Sequence, residues 1–169
     1  MKQLQRIAVF LILTVTLVSC GAIVKGTALK KTTFENKAIP PDFAEDPGTL
    51  ICILRGRNSR DRYLKKHFEK QYGGDFVFIL RDSLDSPRYA DTDKYRYLFD
   101  YNTLSSDRMV TNPQSGQVRM TQLTSSRYYI QDRKTQVYYT NGVSSGYFSK
   151  LIQVYAISLE KARTGELKE

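Results

Sequence analysis

The sequence predicts an α+β domain, with a mainly antiparallel sheet of about five or six strands and two helices in the order β-α-β-β-β-β-β-α. Short segments of alternating or continuous apolar residues recur along the chain, as expected for strands. Two longer segments place apolar residues three and four positions apart, which is the spacing of an amphipathic helix. Residues 127–132 and 135–140 flank a short polar turn and so predict a β-hairpin.

The predicted domain begins with a strand, a helix and a second strand. Residues 49–55 contain a continuous apolar run and predict a buried strand. Asn58-Ser59 is suited to cap a helix, which runs to about Tyr72 before two glycines. Residues 75–81 predict a second strand, and their apolar run favours a central position covered on both faces. Both a parallel pairing through a crossover and an antiparallel pairing are compatible with these lengths.

Alternating segments follow the second strand. Residues 95–101 predict a strand with one wholly aromatic face, because side chains two apart point the same way. That face consists of Tyr95, Tyr97, Phe99 and Tyr101. Residues 117–123 also alternate, but neither face is clearly apolar, and the pattern leaves the inward face undecided.

The predicted hairpin pairs two sets of tyrosines. Turns of two or four residues give the same register, which sets Tyr129 opposite Tyr138 and Tyr128 opposite Tyr139. Tyr128 shares its face with Ile130, so that face is expected to point into the core. Tyr129 and Tyr138 are then expected to point outward, either as a binding surface or as a cross-strand pair that only stabilises the hairpin.

The last predicted element is a helix over residues 146–163 that ends before Gly165. Its apolar stripe is suited to docking on a sheet. The stripe consists of Phe148, Leu151, Ile152, Tyr155, Leu159 and Ala162.

The N-terminus has the three parts of an export signal. Lys2 and Arg6 are cationic, residues 7–18 are apolar, and a small residue, Ser19, precedes Cys20. The apolar stretch is twelve residues long, whereas a membrane-spanning helix needs about 20. We therefore expect residues 1–19 to be a removed signal rather than a permanent anchor.

The run Leu17-Val18-Ser19-Cys20 resembles the lipobox of bacterial lipoproteins, and the resemblance covers residues 1–21 only. It implies that Cys20 becomes the mature N-terminus and carries a thioether-linked diacylglycerol and an N-acyl chain such as palmitate. Two acyl chains anchor a protein stably where one is marginal. Gly21 stands where an aspartate retains such proteins at the inner membrane, so the resemblance favours the outer membrane and leaves open which face carries the protein.

The sequence divides the expected mature chain into a tether and one domain. Residues 20–48 lack a sustained hydrophobic period and contain two proline-rich turns, which is typical of a linker. Phe34, Ile39 and Phe43 are too apolar for a fully solvated linker, so part of the tether is expected to dock. Residues 49–169 have the length of a single domain.

The chain is basic, with a net charge of +9 at pH 7. In the cell envelope a basic protein meets anionic lipids, acidic glycans and other envelope proteins, so nucleic acid is not an expected partner. The densest cationic segment lies on the first helix and predicts either an anionic-surface patch or an ordinary solvated helix face. The residues of this patch are Arg60, Arg62, Lys65 and Lys66.

The candidate catalytic motifs lack their partners. Residues 142–146 match the Gly-x-Ser-x-Gly elbow, but the acid and histidine of that arrangement follow the serine, and the single histidine, His67, precedes it. Ser144 or Ser145 is better explained as a helix cap. Cys52 lies within a buried strand pattern and behaves as a small hydrophobe. No metal or cofactor motif is present, so neither is expected.

These observations predict a lipid-anchored envelope protein that acts without catalysis, as an interaction or structural component. The alternative is a binding module that takes a small apolar ligand, a glycan or a peptide on a tyrosine-rich face, since tyrosine offers a broad apolar surface with a polar tip. The candidate surface consists of Tyr129, Tyr138, Tyr95 and Tyr97.

Overall fold

The computed structural model describes residues 19–167, which form three α-helices and six strands. The helices are α1 (Ser19–Lys31), α2 (Asn58–Gln71) and α3 (Phe148–Arg163). The strands are β1 (Leu50–Leu54), β2 (Phe76–Leu80), β3 (Tyr97–Thr111), β4 (Val118–Asp132), β5 (Tyr138–Tyr139) and β6 (Ser144–Ser145). The predicted signal peptide lies outside the described residues apart from Ser19.

The strands form one mixed sheet in the order β2-β1-β3-β4-β5, with β6 paired to β4. β1 runs parallel to both β2 and β3, and the remaining pairs are antiparallel. The predicted α+β class is confirmed, but the sheet is mixed rather than mainly antiparallel, and the described chain has three helices rather than two. Helix α2 explains the parallel pairing, because a helical crossover lets β1 and β2 run in the same direction.

Strand β2 lies at the edge of the sheet, so the predicted central position was wrong. Both of its faces are nevertheless covered. Phe76 and Phe78 pack on the face of the sheet that the helices cover, and Val77 and Ile79 pack on the opposite face. Its continuous apolar run therefore reflects two covered faces rather than two neighbouring strands. β1 has a strand on each side, and its first four side chains have no exposed surface.

The three helices cover one face of the sheet, with α3 packed against both α2 and α1. The predicted helices at α2 and α3 are confirmed to within two residues at each end. The expected Asn58-Ser59 cap does not form, because α2 already starts at Asn58 and Arg57 takes the cap position without a side-chain hydrogen bond.

The segment between β2 and β3 covers part of the other face. Tyr95, Tyr89 and Leu84 pack there against Ile51 and Ile53 of β1. The sequence analysis placed Tyr95 on the same face as Tyr97, and this was wrong. The backbone N–H of Tyr95 closes a turn with Asp91, so strand alternation begins only at Tyr97.

The segment expected to be a tether packs against the domain. Its first part forms α1, and Ala28, Ile39 and Phe43 have no exposed surface. The expected docking of Ile39 and Phe43 is confirmed. Gly21 and Gly26 weaken the helical signal of α1, because glycine is a poor helix former and adds no side chain to an apolar stripe.

A buried hydrogen bond fixes the end of this segment. Asn141 Nδ2 donates to Thr32 Oγ1 at 2.8 Å, and Thr32 in turn donates to the carbonyl of Ala28. Thr32 has no exposed surface, and Asn141 is also buried. The segment after α1 is therefore fixed to the core at Thr32 rather than solvated throughout as a linker.

Strands β3 and β4 are much longer than predicted. The sequence predicted separate strands over residues 117–123 and 127–132, which the structure joins into β4. β3 extends to Thr111, ten residues past the end predicted at Tyr101. The paired ends project beyond the sheet as a two-stranded ribbon, and we call residues 104–125 the arm.

The register between β4 and β5 differs from the prediction by two residues. Ile130 lies opposite Tyr139, and Gln131 lies opposite Tyr138. Asp132 explains the longer turn: its carboxylate accepts the backbone N–H groups of Lys134 and Thr135, while Gln136 adopts a left-handed conformation with φ 59°. A shift of two residues keeps each side chain on its predicted face.

Candidate functional site

The candidate tyrosine surface is mostly inside the protein. Tyr97 has no exposed surface and packs against Phe43, with ring centroids 5.1 Å apart. Tyr95 and Tyr129 are each 8% exposed, whereas Tyr138 is 59% exposed. The structure therefore does not bring these four tyrosines together on a surface, and the expectation that Tyr129 points outward was wrong.

A buried carboxylate holds Tyr129 inside. The hydroxyl of Tyr129 donates to Asp100 Oδ2 at 3.1 Å. Arg55 binds both oxygens of that carboxylate, at 3.0 and 2.6 Å, and Arg81 Nη1 donates to Oδ2 at 2.8 Å. The backbone N–H of Tyr101 supplies a further hydrogen bond at 2.8 Å. Each oxygen of Asp100 thus has at least two donors, and its charge is neutralised by two arginines.

This cluster closes the face of the sheet opposite the helices. The side chain of Asp100 has no exposed surface, whereas Arg55 and Arg81 are 34% and 46% exposed. The hydrogen bond from Arg55 to Asp100 raises the pKa of the guanidinium, and burial raises the pKa of Tyr129 to about 12. Both oxygens of Asp100 are hydrogen-bonded, and the cluster has the arrangement of an ion-pair network that stabilises the fold.

The arm is the most exposed part of the structure. Every side chain from Leu104 to Thr124 is exposed. Met109 and Met120 are 71% and 64% exposed and lie directly opposite one another across the two strands. The exposed apolar residues of the arm are Leu104, Met109, Val110, Val118, Met120 and Leu123. Apolar side chains are thus exposed on both faces of this projecting ribbon, which makes it suited to contact with another molecule.

No other strand of the described part of the chain pairs with the backbone edges of the arm. β1 pairs with β3 only at Leu98 and Phe99, before the arm begins. On the other side, β6 pairs with β4 at Ser126 and Arg127, after the arm ends. Unpaired edges present rows of N–H and C=O groups to which another strand can add. Three charged residues, Asp107, Arg108 and Arg119, lie in the arm.

Arg60 lies apart from the other three residues of the predicted cationic patch, which share one surface depression. Arg60 lies over the rings of Tyr101 and Phe148, at 4.9 and 5.3 Å from their centroids. Arg62 and Lys65 line a shallow surface depression that also contains the carboxylates Asp61 and Glu69. These acids offset the positive charge of that part of α2.

Lys66 lines this depression and also a second groove, between α2 and α3. The groove has a volume of about 500 Å³, and no acidic residue lines it. We call it the lysine groove. It is lined by Tyr63, Lys66, His67, Lys70, Gln71, Tyr147, Ser149, Lys150 and Gln153.

His67 lies in the wall of the lysine groove and links its two helices. Its Nε2 lies 3.1 Å from Ser149 Oγ, and Gln71 lies 3.5 Å from the other ring nitrogen. Burial, followed by the charges of nearby lysines, lowers the pKa of His67. The lysines that contribute are Lys66, Lys150, Lys25 and Lys70. His67 is therefore neutral at pH 7, and the charge of the groove comes from lysine.

The serine motif is built into the sheet. Ser144 and Ser145 form β6, where they pair with Arg127 and Ser126. Ser145 Oγ accepts the backbone N–H of Tyr147 at 3.0 Å, just before α3 begins. The structure thus places His67 beside Ser149 of α3. The serine of the motif, Ser144, lies instead in β6.

The sequence analysis missed the arm and most of the lysine groove. Lys70 belongs to α2 and Lys150 to α3, so the groove depends on helix packing that spacing alone does not reveal. A signal existed for the arm in residues 117–123, since alternation without an apolar face is expected of a ribbon exposed on both sides.

Within residues 19–167, no cluster of three or more His, Cys, Asp or Glu side chains is arranged to hold a metal ion. Across the same residues, no helix combines the length and apolarity needed to cross a bilayer. Comparisons of the chain with protein-family models, with curated proteins and with solved structures found no match.

Proposed function

We propose that this protein is a lipid-anchored lipoprotein of the cell envelope, in the outer membrane, that acts without catalysis by binding another envelope protein through the arm. The lipobox at residues 17–20 supports the anchor. The exposed arm carries the proposal of an interaction role.

The arm is suited to strand addition by a protein partner. Its edges offer unpaired backbone groups, and its exposed apolar side chains offer contact area on both faces. A partner that supplies one extended segment would satisfy the backbone and bury Met109 or Met120. A ligand held by a tyrosine surface is less well supported, because Tyr95, Tyr97 and Tyr129 are buried.

The anchor is tested by mass spectrometry of the full chain purified from its own membranes. We expect an N-terminal Cys20 that carries a diacylglyceryl thioether, and a Cys20→Ser variant that leaves the membrane fraction. An unmodified sulfur, or a variant that stays in the membranes as the wild type does, would refute the anchor.

The interaction is tested with a photo-crosslinking amino acid placed at Met120 in the membrane-bound protein. We expect one discrete protein adduct, and a severalfold lower yield when Met109, Val110 and Val118 are replaced by threonine. Threonine keeps the strand propensity and removes the apolar surface. The same crosslinker at Val137, which is 43% exposed and outside the arm, is the control. Equal adducts at both positions, or none at Met120, would contradict an interaction through the arm.

A further inference from the structure

Among residues 19–167, the three lysines of the groove and the nearby Lys25 have no carboxylate partner. Lys66, Lys70 and Lys150 are exposed, and Lys25 is partly exposed. Lys66, Lys70 and Lys150 line the groove from two helices, and the charge of Lys25 on α1 also acts on His67. Such unpaired positive charge attracts an anion from outside the protein.

The groove also offers neutral hydrogen-bond donors. Ser149, Tyr147 and Gln153 line it together with the lysines. Phosphate oxygens accept hydrogen bonds from ammonium and hydroxyl groups, so this lining is chemically suited to a phosphodiester. The neighbouring depression on α2 shares Lys66 and Lys70 with the groove, but it differs in that Asp61 and Glu69 also line it.

The groove lies beside the proposed lipid attachment point. Gly21 packs against the Lys150 side chain, and a Cβ placed on Gly21 would lie 3.7 Å from Lys150 Cε. Gly21 directly follows Cys20, and α1 is packed on α3. The proposed attachment point is therefore adjacent in sequence to a residue that contacts a lysine of the groove.

We propose that the lysine groove binds the phosphate groups of anionic lipids, so that the lipidated protein rests on the membrane with its helices facing the bilayer and the opposite face of the sheet facing away. This orientation rests on the proposed lipid anchor. The nearby anchor raises the local concentration of lipid head groups at the groove. Each lysine adds electrostatic attraction to their phosphates, and salt weakens that attraction.

The orientation is tested with tryptophan as a reporter, because the chain contains none. Tyr147 lines the groove and is 51% exposed, and Tyr138 lies across the sheet and is 59% exposed. The full lipidated chain, as Tyr147→Trp or Tyr138→Trp, is reconstituted into vesicles that contain a lipid with a quencher on its head group. The vesicles are either pure phosphatidylcholine or equal parts of phosphatidylcholine and phosphatidylglycerol.

We expect strong quenching of the tryptophan at position 147 in the phosphatidylglycerol vesicles, weaker quenching in pure phosphatidylcholine, and little quenching at position 138 in either. Replacing Lys66, Lys70 and Lys150 with glutamine should remove the effect of phosphatidylglycerol. Equal loss of charge outside the groove, by Arg62→Gln, Lys65→Gln and Arg88→Gln, should leave it in place.

The two proposals fail in different ways. Protein that does not float with either kind of vesicle overturns the lipid anchor and, with it, the orientation. Protein that floats but is quenched equally at positions 147 and 138, or equally with and without phosphatidylglycerol, overturns the orientation alone. Loss of the phosphatidylglycerol effect in both glutamine variants would assign the attraction to total charge and overturn the groove as its site.

Discussion

The hydroxyl of Tyr129 donates a hydrogen bond to Asp100, which lies in the neighbouring strand and is fully buried. Asp100 and Tyr129 are directly opposite one another in the register of β3 and β4. Hairpin alternation predicted that Tyr129 would point outward. It is buried instead, because Asp100 and its two arginines cover the face of the sheet that looks polar in sequence. A tyrosine beside a buried carboxylate gains a partner for its hydroxyl and can be buried without an unsatisfied donor.

Asp100→Asn is expected to destabilise the protein by about 2 to 3 kcal/mol, because Arg55 and Arg81 then lose their partner and Tyr129 loses its charged acceptor. The partial exposure of both arginines keeps the loss below that of a fully buried pair. Urea denaturation measures the difference. Tyr129→Phe is the matched control and should cost about 1 kcal/mol. An Asp100→Asn variant that is no less stable than Tyr129→Phe would show that the ion pairs do not stabilise the fold.

The sequence alone predicts the elements that bury one regular face. Helices α2 and α3 each have an apolar stripe with helical spacing, and β1 has a continuous apolar run. These three elements lie where they were expected. Phe76 to Leu80 shows the limit of such patterns, since a strand covered on both faces looks the same at the edge and at the centre of a sheet.

The rest depends on contacts between residues far apart in sequence. Tyr129 is buried because Arg55, Arg81 and Asp100 meet beside it, and no local period encodes that meeting. The lysine groove likewise needs α2 and α3 to pack side by side before Lys70 and Lys150 approach each other. Of the predicted cationic patch, Lys66 alone belongs to the groove.

Stability is expected to depend on the protonation of His67 at mildly acidic pH. Burial first, and then the surrounding lysines, lower its pKa in the folded state, whereas an unfolded chain binds this proton at about pH 6.5. The unfolded state therefore binds more protons below that pH, and the free energy of unfolding should fall as the pH drops through about 6.5 until the folded pKa is passed.

His67→Gln should abolish this dependence, because His67 is the only histidine in the chain. The measurement is urea denaturation of both proteins at about pH 7.5 and about pH 5.5, a range in which ordinary carboxylates stay charged. A slope that persists unchanged in the variant would assign the effect to other groups.

Tyr155→Phe is expected to cost about 1 to 3 kcal/mol, because it leaves the buried backbone N–H of Asn141 without its acceptor, while the carbonyl of Tyr128 keeps the hydroxyl of Thr140 as a donor. The hydroxyl of Tyr155 donates to the carbonyl of Tyr128 and accepts the N–H of Asn141, both at 3.0 Å. Denaturation of Tyr138→Phe supplies the control, since that side chain is mostly exposed and should change stability by less than about 0.5 kcal/mol. Equal effects in the two variants would argue against the buried contact.

Shortening the arm is expected to leave the domain folded. Replacing residues 104–125 with Asn-Gly joins Thr103 to Ser126, which already pair across the ribbon, through a two-residue turn. The free energy of unfolding should change by less than about 1 kcal/mol, because the removed side chains bury almost none of the core. Circular dichroism and urea denaturation give this comparison. Loss of the cooperative transition would show instead that the arm supports the sheet.

Cys52 lies in β1 with no exposed surface, and burial raises the pKa of its thiol well above the ordinary value. A maleimide can reach this sulfur only after the sheet opens, so the rate at which Cys52 is alkylated measures the rate of that opening. No cysteine has to be introduced for this measurement. The chain has two cysteines. A thiol that reacts at once in the native protein would therefore be Cys20 without the proposed lipid, so the same reagent measures the fraction of the protein that lacks it.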